Sequence, residues 1–181
     1  MSDTNELSEI FNAKLVRNNV VFDRDIESDL FNKGYGEKND EKIIFADYEI
    51  LFLVYIGKLN VLYRKKKLSF HNVVDIFSKT DEKLWTKFLI FRDLRSRGYI
   101  LKEGFGLGID FRIYERGKYG VKPSKYVVFA INEGTETASL EVYSIVNKIS
   151  RMGKEPIIAV IERRGEIIYY KASKMVFNKL E

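Results

Sequence analysis

Few side chains in this 181-residue sequence are of the types that usually carry out catalysis or bind metals. It contains no cysteine and a single histidine, His71. This excludes disulfides, thiolate zinc sites, cysteine nucleophiles and any metal centre built on several imidazoles. His71 precedes a short apolar run, and we interpret it as a helix-start or surface residue. No nucleotide-binding glycine motif, serine elbow or zinc-binding spacing is present, so we expect neither a metal nor a cofactor.

A glycine-rich segment, Gly104-Phe105-Gly106-Leu107-Gly108, is the next candidate for chemistry. Phosphate-binding glycine loops open a helix, whereas this segment lies between two predicted strands. We therefore interpret it as a loop that needs backbone freedom. Tyr63, Tyr169 and Tyr170 are interpreted as packing residues rather than platforms on which nucleic-acid bases stack.

Charge is unevenly distributed along the chain. Residues 1–50 hold 6 basic and 12 acidic side chains, a net charge of −6, whereas residues 51–181 hold 25 and 14, a net charge of +11. A basic body of this kind is typical of proteins that bind RNA or DNA. A lysine-rich surface without such a partner gives the same signature.

The sequence also gives an expectation about location. Its first ten residues, MSDTNELSEI, are acidic where a secretory signal has a basic start and an apolar run. No stretch approaches eighteen consecutive apolar residues, the length that predicts a membrane span. We expect a soluble, intracellular protein, cytoplasmic and without a membrane partner.

The first part of the chain predicts a small α/β domain. A dense apolar run from Phe45 to Ile56 predicts a buried helix that ends at Gly57. Residues 59–63 alternate as a strand does, residues 64–67 form an exposed basic turn, and residues 70–77 predict a second helix. Short apolar pieces before residue 23 predict strand edges, and residues 32–37 predict a turn.

A longer helix follows, and after it the spacing of apolar residues changes from that of a helix to that of strands. Thr80 is followed by the acidic residues Asp81 and Glu82, which predicts a capped helix start, and Gly98 predicts the end of this helix. Beyond this helix, the sequence predicts the order β-β-β-α-β-β, with strands near 99–101, 109–114, 126–131, 156–161 and 166–170 and a helix near 140–149. We therefore expect an α+β chain of two domains, residues 1–84 and 85–181, the second with a mixed sheet of about five strands.

One stretch carries a specific resemblance. The segment FRDLRSRGYI at residues 91–100 leads through the glycines to GIDFRIYERG at residues 108–117. This resembles the archaeal tRNA-splicing endonuclease family, in which a helix ending DLRxRGY precedes GxDFxxY. The similarity runs from about Leu51 to Tyr170 and includes PSKYVV at 123–128 and KEPIIAV at 154–160. It implies a small N-terminal α/β domain and a C-terminal α/β nuclease-type domain, assembled into four-part enzymes.

The resemblance also implies a reaction. Family members cut precursor tRNA at both exon–intron junctions without a metal, leaving a 2′,3′-cyclic phosphate and a 5′-hydroxyl. Their catalytic tyrosine, histidine and lysine fit the roles of base for the ribose 2′-hydroxyl, acid for the leaving 5′-oxygen and cation for the phosphorane. The tyrosine falls on Tyr114 and the lysine on Lys154. The histidine position falls on Pro123 by motif and on Ser124 by an ungapped match, so no imidazole is present either way.

Other positions that matter in the family carry different residues here. An arginine that grips bulge nucleotides in family members matches Asn147, beside Lys148. We expect Lys125, Lys148 and Arg116 to contact RNA. Gly106 and Leu107 stand where family enzymes tend to carry lysine and tyrosine.

Family residues are thus missing at several positions that face the substrate, although the rest of the family pattern is intact. This favours a structural, non-catalytic subunit. The resemblance then implies a histidine-bearing catalytic homologue as partner in an α2β2 assembly, with precursor tRNA as the ligand. It also implies a docking role for the acidic loop 131–137, through Glu133 and Glu136. Two alternatives stay open: an active RNase that uses Tyr114 and Lys154 with a substitute acid, and a non-enzymatic RNA-binding module.

Overall fold

The computed structural model describes residues 7, 9–106, 108–115 and 117–175. Backbone contacts divide the chain into two compact units, residues 1–102 and 103–181. The division at residues 84 and 85 that the sequence favours stays a prediction. Over the part of the chain that the structure describes, no helix is both long enough and apolar enough to cross a membrane.

The first unit contains one mixed sheet, one hairpin and four helices, among the residues described. Its elements in chain order are β1 (Phe11–Val16), β2 (Asn19–Val21), α1 (Arg24–Asn32), β3 (Glu37–Asn39), β4 (Lys42–Ile44), α2 (Asp47–Tyr55), β5 (Leu59–Tyr63), β6 (Lys66–Lys67), α3 (Phe70–Phe77) and α4 (Leu84–Ser96). The sheet has the order β2-β1-β5-β6, with β1 parallel to β5 and the outer pairs antiparallel. β3 and β4 form a separate two-stranded sheet. The predicted α/β character of this part is confirmed.

The core of this unit forms around α2. Six consecutive residues of α2, 48–53, are buried, so this helix has no exposed face over that stretch. Phe91 of α4 packs edge-on against Phe52 at a centroid distance of 5.3 Å and lies 5.2 Å from the ring of Tyr48. Such aromatic pairs add to the area that each ring buries.

A buried ion pair holds the turn before β3. The carboxylate of Glu49 accepts hydrogen bonds from the backbone N–H groups of Gly36 (3.0 Å) and Ala46 (3.0 Å). Its Oε1 lies 3.9 Å from Nζ of Lys102, which donates to the carbonyl oxygens of Gly34 and Gly36. Burial raises the pKa of Glu49 to about 7, against the opposing influence of Lys102.

One prediction for this unit is corrected, and two of its features were not predicted. Helix α1 and the β3–β4 hairpin were not predicted, because α1 is mostly polar and buries only Leu30. Thr80 does not cap α4, since its hydroxyl donates instead to the carbonyl of Phe77 at 2.9 Å. The carboxylate of Asp81 accepts from the backbone N–H of Lys83 at 2.9 Å, just before the helix begins at residue 84. His71 is exposed in the first turn of α3, as predicted.

The second unit is built on a five-stranded sheet. Its elements are β7 (Ile100–Gly106), which begins just before the unit, β8 (Ile109–Tyr114), β9 (Tyr126–Asn132), α5 (Ser139–Arg151), β10 (Glu155–Ile161) and β11 (Ile167–Lys171). The sheet order is β11-β10-β9-β8-β7, with β9 and β10 parallel. The predicted order β-β-β-α-β-β and the mixed five-stranded sheet are confirmed. Ile145 and Ile149 of α5 pack on a cluster that includes Ile109, Val127 and Phe129.

The glycine-rich segment is mostly strand rather than loop, which corrects the prediction. β7 continues through Gly104 to Gly106. A Cβ at Gly104 would lie 2.1 Å from the carbonyl oxygen of Ile109, so glycine is needed where β7 passes close to β8. Gly108 has φ +84, a left-handed conformation at the turn. Leu107 lies outside the described residues.

Exposure also corrects the prediction for two tyrosines. Tyr63 is 45% exposed and Tyr170 is 52% exposed, so neither is a core packing residue. Tyr169 is partly buried.

Candidate active site

Strand register brings distant residues together at one edge of the C-terminal sheet. β9 lies between β8, which runs antiparallel to it, and β10, which runs parallel. Tyr126 at the start of β9 pairs with Ile113 near the end of β8 and with Glu155 at the start of β10. The segments around residues 114, 124 and 154 therefore meet at this edge. The sequence predicts Tyr114 and Lys154 for the same site, and the topology places their strands accordingly.

Lys154 is held by Ser124. Its Nζ donates to the carbonyl oxygen of Ser124 at 2.7 Å and to the Ser124 hydroxyl at 2.8 Å. Ser124 is buried, whereas Pro123 beside it is exposed. Burial lowers the pKa of Lys154, and the nearby positive charge of Arg112 lowers it further. Of the two candidates for the histidine position, Ser124 is thus the one that faces the lysine.

Arg112 is a second cation at this edge, and the sequence analysis did not single it out. Its Nε donates to the carbonyl oxygen of Glu103 at 2.7 Å, and its Nη1 lies 3.5 Å from the hydroxyl of Tyr114. The guanidinium carbon lies 5.2 Å from the centroid of the Phe105 ring, and Nζ of Lys154 lies 5.9 Å from the same centroid. Both cations thus lie within 6 Å of the centre of the same aromatic ring. The available signal was spacing, because residues two apart on a strand share a face.

Tyr114 ends β8 and packs against the loop that follows. Its ring meets the ring of Tyr119 edge-on, with centroids 5.1 Å apart. Its hydroxyl is close to Arg112, which links it to the group around Phe105. Tyr114 is partly buried and within the cation-lined edge.

The predicted RNA-contacting residues have different surroundings. Lys125 is exposed; a hydrogen bond with Tyr126 raises its pKa, and its Nζ lies 3.6 Å from Oε1 of Glu115. Lys148 is exposed in the last turn of α5, and Asn147 before it is partly buried. Arg116 lies outside the described residues. Contact of these residues with RNA stays a prediction.

The predicted docking loop follows β9. The carboxylate of Glu133 accepts from the backbone N–H of Arg163 at 2.9 Å, and its other oxygen lies 4.0 Å from Nε of that arginine. Glu133 is therefore engaged within its own chain, by the turn between β10 and β11. Glu136 is exposed.

The charges at this edge are suited to bind a phosphate. Two cations and a phenol converge at the edge, and cations stabilise a phosphate or a phosphorane. Transfer to a 2′-hydroxyl also needs an acid for the leaving oxygen, with a pKa near the working pH. Ser124 has no group that titrates near neutrality.

Comparison with known proteins gives two family matches. Residues 84–169 match the family described as tRNA intron endonuclease, catalytic C-terminal domain, and residues 11–74 match tRNA intron endonuclease, N-terminal domain. The chain is 36% identical over 154 residues to the tRNA-splicing endonuclease of Methanococcus vannielii, which covers 83% of this chain and 86% of that protein. It is 34% identical over 152 residues to that of Methanococcus maripaludis, with coverage of 83% and 86%. For that of Pyrococcus furiosus the identity is 30% over 140 residues, covering 77% and 81%.

Proposed function

This chain belongs to the tRNA intron endonuclease family, and we propose that it is a subunit of a tRNA-splicing endonuclease that binds precursor tRNA without cutting it. The assembly would excise introns by metal-independent transfer to the ribose 2′-hydroxyl. A histidine-bearing homologue would supply the cutting site, in an α2β2 arrangement. This chain would hold the substrate and position its partner.

The observation that carries the proposal is the contact between the buried Ser124 and Lys154. Ser124 is one of the two positions at which the resemblance calls for an imidazole, and a serine hydroxyl cannot serve as an acid near neutral pH. Loss of a general acid costs about 10²–10⁴ in rate. The same hydroxyl accepts a hydrogen bond from the ammonium group of Lys154, which occupies one of that lysine's donors.

A second candidate, an active RNase, has one observation in its favour. Burial and Arg112 both lower the pKa of Lys154, which brings its ammonium group closer to the range in which it could donate a proton. Tyr114 is also retained. In that case the chain alone would cleave, whereas the structural-subunit proposal requires that it does not.

Restoring the imidazole tests the proposal. We expect Ser124→His to give the purified chain cleavage of an intron-bearing tRNA transcript, with a rate increase of roughly 10²–10⁴ and cyclic phosphate ends. Ser124→Ala removes the hydroxyl without adding an acid and should give no cleavage. Pro123→His is the matched control, because it adds the same ring at the neighbouring, exposed position.

The pattern of outcomes is decisive. Cleavage by Ser124→His alone supports the assignment of residue 124. Cleavage by Pro123→His alone places the histidine position at 123 and rejects the assignment. If neither variant cleaves while both remain folded by circular dichroism, the missing imidazole is not what keeps this chain inactive.

The partner contact is the second part of the proposal. The loop after β9 would insert its negative charge into a basic cleft of the catalytic homologue, favouring the correct partner more than raw affinity. Glu133 already pairs with Arg163, so Glu136 would carry the larger share of the docking charge.

A further inference from the structure

Two tight hairpins in the N-terminal unit carry cations at their tips. β1 turns into β2 through Arg17 and Asn18, since Val16 pairs with Asn19. β5 turns into β6 through residues 64 and 65, since Tyr63 pairs with Lys66. Each connection is therefore a loop of two residues.

Both hairpin tips lie at the same end of the sheet. β1 and β5 are parallel neighbours, with Lys14 opposite Leu62, so their carboxyl ends lie side by side about 4.8 Å apart. We call this end the cationic hairpin end; its exposed basic residues are Lys14, Arg17, Arg64, Lys65, Lys66 and Lys67. Over the described residues, none of the six forms an ion pair with a carboxylate.

The conformation of the tips suggests a role other than folding for Arg17, Arg64 and Lys65. Arg17 and Asn18 have φ of 49 and 66, and Arg64 and Lys65 have φ of 47 and 65. Two positive φ angles in a two-residue loop define a type I′ turn, for which Asn-Gly is the favoured pair. Arginine and lysine are strained there. A residue kept at a conformational cost points to a role outside folding.

Charge is also segregated along the sheet. Acidic residues cluster at the opposite end, beside the start of β1, where Glu9, Asp23, Asp25 and Asp29 line one pocket. Two of the six basic residues of the cationic hairpin end, Lys14 and Arg17, thus belong to the otherwise acidic first 50 residues. A segregated field of this kind attracts a polyanion to one side of the sheet.

The side chains at the tip of the β5–β6 hairpin favour RNA over an acidic peptide as the partner. The guanidinium carbon of Arg64 lies 5.3 Å from the ring centroid of Tyr63, which is 45% exposed. Exposed aromatic and guanidinium planes beside lysines are the groups that contact bases and phosphates of nucleic acids. We infer that the cationic hairpin end binds the sugar–phosphate backbone of tRNA. This rests on the proposed function for the identity of the polyanion.

The test replaces the strained cations with the pair that the turn prefers. Arg64→Asn with Lys65→Gly removes two charges and fits a type I′ turn, so the melting temperature should not fall. The matched control, Lys38→Asn with Lys42→Asn, removes two exposed charges from the β3–β4 hairpin. The probe is mature tRNA, which has no intron and cannot be cut, so the result does not depend on catalysis by any chain.

We expect the full-length hairpin variant to bind mature tRNA more weakly, by up to about 60-fold at 0.1 M salt, and the slope of log affinity against log salt to fall by about 2. The control variant should change neither by more than about twofold. Equal effects of the two variants would show general surface attraction and overturn the inference, as would absence of tRNA binding by the unsubstituted chain. A fall in the chain's own oligomeric state, with tRNA binding intact, would assign the hairpin end to a second copy instead.

Discussion

The contact between Lys154 and Ser124 allows a quantitative prediction about the candidate site. Ser124→Ala removes the acceptor that lies 2.8 Å from Nζ of Lys154, while the carbonyl acceptor at 2.7 Å stays. Hydrogen bonds to charged groups contribute roughly 1.5–3 kcal/mol. Because one of the two acceptors remains, we expect the free energy of unfolding to fall by about 1.5–2 kcal/mol. The pKa of Lys154 should fall further below its usual value.

A double-mutant cycle isolates this contact. In a Lys154→Met background, which keeps most of the length of the side chain and removes its charge, Ser124→Ala should cost less than about 0.5 kcal/mol. The measurement is urea unfolding at pH 7 of the four proteins, with the slopes compared to confirm that the transition is the same. A coupling of about 1.5 kcal/mol or more supports the contact. If the two substitutions are additive within about 0.5 kcal/mol, the contact is refuted. The argument that the Ser124 hydroxyl accepts a hydrogen bond from Lys154 would then fail.

Three further predictions follow from buried or exposed groups. The pKa of Glu49 is about 7 when folded and 4.5 ordinarily, so its contribution to stability is present below pH 4.5 and lost as the pH rises through 7. This fall in the free energy of unfolding is about 3 kcal/mol. Glu49→Gln should abolish this pH dependence; the same slope of unfolding free energy against pH in the unsubstituted and Glu49→Gln proteins would contradict this. Glu136→Lys should prevent co-elution with the histidine-bearing homologue in gel filtration, whereas Glu141→Lys on α5 should not; unchanged elution of both would reject the docking loop. Gly104→Ala should destabilise the chain by several kcal/mol, since its methyl group would lie 2.1 Å from a backbone oxygen; an unchanged melting temperature would contradict the close approach of β7 and β8.

Much of the C-terminal unit could be predicted because its strands are short apolar runs that turn residues separate. The run from Tyr126 and the run from Pro156 are buried central strands, and α5 has a clear apolar stripe. The polar helix α1 gave no such signal, since the contact of Leu30 with the core is a tertiary feature. Thr80 met the rules for a helix cap, but its hydroxyl donates to the preceding helix instead.

The site could be predicted only in part. The motif placed the histidine position at Pro123 and an ungapped match placed it at Ser124. Only the structure distinguishes a buried, lysine-bound serine from an exposed proline. Arg112 was missed because it belongs to no recognised catalytic set. The cationic hairpin end was missed for a different reason: the parallel pairing of β1 with β5 joins two turns that lie far apart in the sequence.

The single-turnover rate of the purified, unsubstituted chain on an intron-bearing tRNA transcript tests the central claim most directly. We expect no cleavage above background from the chain alone, and cleavage with 2′,3′-cyclic phosphate and 5′-hydroxyl ends once the histidine-bearing homologue is added. Cleavage by the chain alone, at a rate comparable to that of the mixture, would contradict the account and make Tyr114 and Lys154 parts of a working active site.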